Sequence, residues 1–140
     1  MIQRRIVIDT NLLIAGLRSR LGCSNRLLSL LAEDRFQTVI SAPLVLEYED
    51  VALRQIDCLT YTKDEIREII DFICQVATPT AIFYLWRPYL KDPKDDLVLE
   101  AAVAGQADAI VTFNLRDFRS IERFGLQAQT PRTFLKEIEA

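Results

Sequence analysis

Four acidic residues stand where secondary-structure elements of this chain begin or end. Asp9 closes the apolar run Ile6-Val7-Ile8 and precedes Thr10-Asn11, and Glu47 lies in a helical run after Ser41-Ala42-Pro43. Asp96 opens the apolar helix from Leu97 to Ala104, and Asp117 follows the strand Ala109-Ile110-Val111-Thr112. Ligands of open α/β sheets sit outside the carboxyl ends of the strands, so acids at such positions can converge although they are far apart in the chain. Two carboxylates about 4 Å apart repel by roughly 4 kcal/mol at an effective dielectric near 20. Three or four together are costly to ionise unless a cation shares them, and the pattern points to a divalent metal site.

The chain has no histidine. That excludes Ser-His-Asp and Cys-His catalysis and ordinary His-containing zinc sites. Hard oxygen ligands remain, and these suit Mg²⁺ or Mn²⁺. Cys23, Cys58 and Cys74 are an odd set without a Cys-x-x-Cys pair and read as reduced thiols. The segment Met1-Ile2-Gln3-Arg4-Arg5 runs straight into a strand without a signal-peptide-like apolar region, and no apolar stretch has membrane-spanning length. The expectation is a cytoplasmic protein with no membrane partner. The net charge of −3 does not mark a nucleic-acid binder, yet 13 of the 17 basic residues are arginine, the side chain best matched to phosphate.

The elements that must position these acids follow from apolar patterning. Arg4 to Asp9 reads as a strand covered on both faces, because its Ile-Val-Ile run is continuous. A short helix follows from Asn11 to Leu17, and Ser24 is placed as the cap of a second. Phe36 to Ile40 is a strand, and Ser41 with Pro43 starts a third helix that runs to about Arg54. Thr62-Lys63-Asp64-Glu65 is a capping box before Ile66, Ile69, Ile70 and Ile73 at helical spacing. After a break at Thr78-Pro79, a strand is predicted over Thr80 to Leu85. A deeply packed helix is predicted from Asp95 to Gly105 with Asp95 as its cap. Strands Ala109 to Thr112 and Leu126 to Gln129 follow, and Thr130-Pro131 starts a terminal helix. Alternating strands and helices imply a parallel sheet with helices on both faces, in one domain spanning residues 1–140.

Four local motifs recur in a characteristic order: Ile-Asp-Thr-Asn-Leu-Leu at 8–13, Ser41 with Glu47, Asp-Pro-Lys-Asp-Asp-Leu-Val-Leu-Glu-Ala-Ala at 92–102, and Val-Thr-Phe-Asn-Leu-Arg-Asp-Phe at 111–118. Together they resemble the PIN-domain nucleases, especially the VapC-like toxins of toxin–antitoxin pairs. The resemblance covers essentially the whole chain. It implies a three-layer α/β/α fold with a central parallel sheet and a Mg²⁺- or Mn²⁺-dependent endoribonuclease that cuts RNA with metal-activated water. It also implies an antitoxin partner and a homodimer. In the carry-over Asp9, Glu47, Asp96 and Asp117 match the family's acids, and Asp9, Asp96 and Asp117 would hold the metal. Thr10, Asn11, Thr112 and Asn114 support them. Many relatives carry Asp where Asn114 stands, so the choice of Asp117 departs from one common form of the family.

Several readings stay open at this level. Glu100, four residues after Asp96, is an outside candidate for the metal shell and reads chiefly as a surface residue. Arg18 and Arg20, after the first helix, are candidates to grip an RNA backbone. Phe113, Tyr84 and Trp86 could stack on bases, and the cluster of Phe83, Tyr84, Trp86 and Tyr89 could mark a dimer interface. A non-catalytic PIN-like module that binds RNA or protein would have been favoured by loss of Asp9, Glu47 or Asp96. A housekeeping RNase without an antitoxin is a further alternative. Aspartyl phosphatases usually carry an acid two residues after the nucleophilic Asp, where this chain has Asn11.

Overall fold

The computed structural model describes residues 3–82 and 89–139. Five parallel strands form its central sheet in the order β3-β2-β1-β4-β5. The strands are β1 (Arg5–Ile8), β2 (Gln37–Ile40), β3 (Thr78–Pro79), β4 (Ala109–Val111) and β5 (Gln127–Gln129). Ile6, Val7, Ala109, Ile110 and Val111 have no exposed surface. A parallel sheet must have both faces covered, and its central strands are accordingly apolar without alternation. Among the described residues, six α-helices supply the covering layers of an α/β/α arrangement: α1 (Thr10–Arg18), α2 (Cys23–Ser29), α3 (Ala42–Arg54), α4 (Lys63–Val76), α5 (Pro93–Ala104) and α6 (Pro131–Glu139).

The helix starts follow local chemistry. The Ser41 hydroxyl accepts the Leu44 amide at 3.2 Å, and Thr62 and Glu65 close a reciprocal capping box at 3.1 and 2.9 Å. Two predicted caps lie elsewhere. α2 begins after Gly22, whose φ of 99° is open to glycine, and Ser24 is buried inside the helix. α5 begins at Pro93, with Asp92 rather than Asp95 as its cap, accepting the Lys94 amide at 2.9 Å. Proline is preorganised for the first helical position, so the Asp before it is the one left in extended geometry.

The strand predicted over Thr80 to Leu85 is also displaced. β3 is the Thr78–Pro79 pair that had read as a break, docked on Val39 and Ile40. Proline cannot donate to a ladder, but at the edge of a sheet it need not. Residues 83–85 of that prediction lie outside the described residues. A 3-10 helix over Leu115–Phe124, kinked at Phe118, was not foreseen. Its apolar residues Leu115, Phe118, Ile121 and Phe124 recur every three positions, the period at which 3-10 side chains eclipse. Glu100, expected on the surface, is 2 % exposed within α5. At the end of α5, Gly105 comes so close to Val39 that a Cβ there would overlap the valine's Cγ1.

Candidate active site

The order β3-β2-β1-β4-β5 reverses direction between β1 and β4, and that boundary is where open α/β sheets leave a crevice beyond the strand ends. Ile8 of β1 pairs with Val111 of β4, so the next residues, Asp9 and Thr112, emerge side by side. The Asp9 amide donates to the Val111 carbonyl at 3.0 Å and continues the ladder, while the Asp9 carbonyl accepts from Leu12 and Leu13 and starts α1. Its side chain makes no helix-capping bond. It accepts instead from the Thr112 hydroxyl at 2.7 Å, and that hydroxyl accepts from the Asn114 amide at 3.0 Å. The Asp9 carboxylate is therefore aimed by the sheet.

Beneath it, the buried Tyr48 phenol donates to the Ile8 carbonyl. Burial and the Asp9 charge push that phenol far up, so it stays a neutral donor. Asp9 itself is 3 % exposed. Desolvation raises its pKa, hydrogen bonds from Thr112 and the Thr10 backbone act against this, and Asp117 and Asp92 raise it further.

The three acids at the start of α5 have different fates. Asp96 is 1 % exposed, and its two oxygens accept the backbone amides of Leu90 at 2.9 Å and Tyr89 at 3.4 Å. It ties the segment before α5 to the helix. Asp95 lies about 100° round the helix from Asp96 and lines the crevice. Its pKa is raised to about 7, first by burial, then by Asp9, Asp92, Asp117 and Asp96. Asp9, Asp92, Asp95 and Asp117 thus share one negative field.

Two adjoining hollows meet at Asp92 and Asp95. The first, about 200 Å³, is walled by Asp9, Thr10, Asn11, Glu47, Arg54 and Lys94. A water's share of liquid volume is about 30 Å³, so an ion and several waters fit. Glu47 reaches it from α3, with Lys94 Nζ at 3.7 Å and Arg54 Nη2 at 4.0 Å from its Oε1. That oxygen and the Thr10 hydroxyl are buried without a hydrogen-bond partner among the described residues. The second hollow is walled by Asp117 with Tyr89, Lys91, Arg116, Arg119 and Ser120.

Of the sequence-predicted residues, Asp9, Glu47, Asp117, Thr10, Asn11 and Thr112 border this crevice or bond to an acid in it. Asp96 does not face it. Asn114 contributes backbone: its amide holds Thr112, and its carbonyl accepts the Asp117 amide at 3.0 Å. Arg18 donates to Gln55 on the rim at 3.2 Å, and Arg20 is exposed. Tyr84 and Trp86 lie outside the described residues. The residues missed were Asp92, Asp95, Arg54 and Lys94. The Asp-Pro pair at 92–93 was the available signal: it fixes where α5 starts and hence which acids turn inward. No three of the described carboxylates converge into a ready-made ion shell. The donor set nonetheless fits a hard divalent cation, with oxygen ligands that repel one another and an orphaned Glu47 oxygen.

A family model described as PIN domain matches residues 5–116. Among solved structures, the chain is similar to VapBC2 from Rickettsia felis, determined bound to a DNA fragment from their promoter. The match has a TM-score of 0.61 at 18 % identity and covers 89 % of this chain and 98 % of the other. At that identity the likeness speaks for the fold. No curated protein matches the chain by sequence.

Proposed function

The chain belongs to the PIN-domain family, and from that premise we propose that it is a divalent-metal-dependent endoribonuclease acting as the toxin of a toxin–antitoxin pair. The observation that carries the catalytic part is the gathering of Asp9, Asp92, Asp95 and Asp117 along one crevice, where burial first and the neighbouring acids second lift Asp95 to about 7. A structural surface has no reason to hold four mutually repelling acids beside one crevice, whereas a cation site requires them. The antitoxin part is supported by the similar structure, that of VapBC2 bound to a DNA fragment from their promoter.

In this reading Asp9, Asp95 and Asp117 would hold Mg²⁺ or Mn²⁺, with Asp95 taking the role assigned to Asp96 from sequence. Asp96 has both oxygens committed to backbone amides and supports the loop instead. A bound cation would supply Lewis-acid chemistry and offset charge on the phosphate. Thr112 keeps Asp9 aimed at the crevice, and Asp95 lines that crevice from α5. Glu47, on the opposite wall, orients water through its unbonded Oε1.

Calorimetric titration of Mn²⁺ into the wild type and Asp95→Asn tests the centre, together with cleavage of a labelled single-stranded RNA with and without EDTA. The expected result is Mn²⁺ binding and EDTA-sensitive cleavage by the wild type, both lost in Asp95→Asn. Cleavage that survives EDTA would sink the metal assignment, and equal Mn²⁺ binding by both proteins would remove Asp95 from it. For the partner, a small protein encoded beside this chain should co-purify with it and suppress cleavage; a free, uninhibited chain would leave a housekeeping RNase.

A further inference from the structure

We propose that the RNA strand reaches the acidic centre from one side only, across Lys91, Arg116 and Arg119, with an unstacked base resting on Phe113. The inference deepens the nuclease reading and rests on it. An acidic centre in a chain of net charge −3 repels a polyanion, so approach requires unpaired cations beside the crevice. The two ends of the crevice differ in this respect. At the Glu47 end, Lys94 lies 3.7 Å from Glu47, and Arg54 lies 2.9 Å from Asp50 and 4.0 Å from Glu47. Those cations are already compensated. At the Asp117 end, Lys91, Arg116 and Arg119 are exposed and form no ion pair among the described residues, although they border the hollow that Asp92, Asp95 and Asp117 share.

The local fold explains the arrangement. In the Leu115–Phe124 segment a three-residue period buries Phe118 and Ile121 against the core. Arg116 and Arg119 lie on either side of the kink at Phe118, and both are exposed and line the same hollow. Guanidinium groups in a row suit successive phosphates, each offering a bidentate contact. Just upstream, Phe113 is 49 % exposed. An exposed aromatic side chain three residues before Arg116 is of the kind on which single-stranded bases stack.

The test compares Arg116→Gln/Arg119→Gln with the charge-matched control Lys63→Gln/Arg67→Gln on α4, both exposed pairs whose thermal melts should match the wild type. For a fluorescein-labelled single-stranded RNA cut in Mn²⁺, the Arg116/Arg119 variant should raise KM roughly tenfold with kcat changed far less. Its binding measured by anisotropy should lose about 1.4 from the slope of log affinity against log salt, about 0.7 per phosphate contact. The control should leave both unchanged, and Phe113→Ala should raise KM without altering the salt slope. An unchanged KM in the Arg116/Arg119 variant, with an active wild type, overturns this proposal and leaves the nuclease intact. Equal losses in the α4 control also overturn it, by reducing the effect to bulk charge. Lost binding of a polyglutamate peptide with RNA binding intact would make the patch a protein-docking surface instead. A wild type that neither binds nor cuts RNA overturns the nuclease reading and this inference together.

Discussion

Asp95 and Asp96 are adjacent in sequence but differently placed, one lining the crevice and the other bonded to backbone amides, because a helix turns each residue about 100° from the last. Asp95→Asn should lower RNA cleavage by at least about a hundredfold, the scale of removing one preorganised electrostatic group, while the protein stays folded. Asp96→Ala should act on stability. It strands the amides of Tyr89 and Leu90, and urea unfolding should register a loss of roughly 2–3 kcal/mol. If Asp96→Asn, which keeps the acceptor, abolished cleavage at full stability, the two roles would have to be exchanged. The same logic separates Asp117 from Asn114. Asp117 borders the crevice and raises the pKa of both Asp9 and Asp95, whereas Asn114 is tied in through its backbone. Asp117→Asn should therefore cut cleavage severely and Asn114→Ala much less; the reverse outcome would identify Asn114 as the functional residue.

At the scale of elements, α5 carries the site because three local devices hold it in register. Asp92 and Pro93 set its start, Asp96 ties its first turn to the preceding segment, and Gly105 lets its end press onto β2. Arg5 reinforces that end by donating twice to the Gly105 carbonyl, at 2.7 and 3.1 Å. Gly105→Ala would drive a methyl group into Val39 and should destabilise the fold by roughly 1–3 kcal/mol, as overpacking does. Because the clash is shared, Gly105→Ala combined with Val39→Ala should cost less than the sum of the single changes in urea melts. Simple additivity would mean that the two residues do not press on each other.

For the whole molecule, the acidic centre makes stability depend on pH in a direction opposite to that of a salt-bridged carboxylate. Asp95 is raised from the ordinary 3.8 to about 7 on folding, and Asp9 is raised as well. Across that window the folded state binds more protons than the unfolded, so stability falls as pH rises from about 4 through 7. The Tm of the metal-free protein should therefore drop between pH 5 and pH 8, and Mn²⁺ at the higher pH should restore it by binding only the folded form. Asp95→Asn should flatten the pH profile and abolish the Mn²⁺ effect; a wild-type Tm that rose over this interval would contradict the shared-field description. We also expect a homodimer, so sedimentation should give twice the 16.0 kDa chain mass. A monomer at micromolar concentration would refute it. Of the aromatic cluster that raised that expectation, Tyr89 packs edge-to-face on Phe124 of its own chain at 5.2 Å.

The sequence by itself determined what is local or periodic. The continuous Ile-Val-Ile run marks a doubly covered strand, Ser41 and Thr62 mark helix starts, and the absence of histidine excludes imidazole chemistry. Each depends on neighbours within a turn or two, where sequence spacing maps directly onto geometry. What the tertiary structure decided depended on rotation and on distant contacts. Which of Asp92, Asp95 and Asp96 turns inward is set by where α5 begins and by what packs beside it, and a one-residue shift changes the answer. That Thr112 aims Asp9 follows from β4 lying next to β1, a pairing across 103 residues. That the cations near Glu47 are compensated while Arg116 and Arg119 have no ion pair among the described residues follows from α3 meeting α5 at one end of the crevice and a 3-10 helix at the other. No one-dimensional pattern carries that information, because charges cancel or remain according to distance in space.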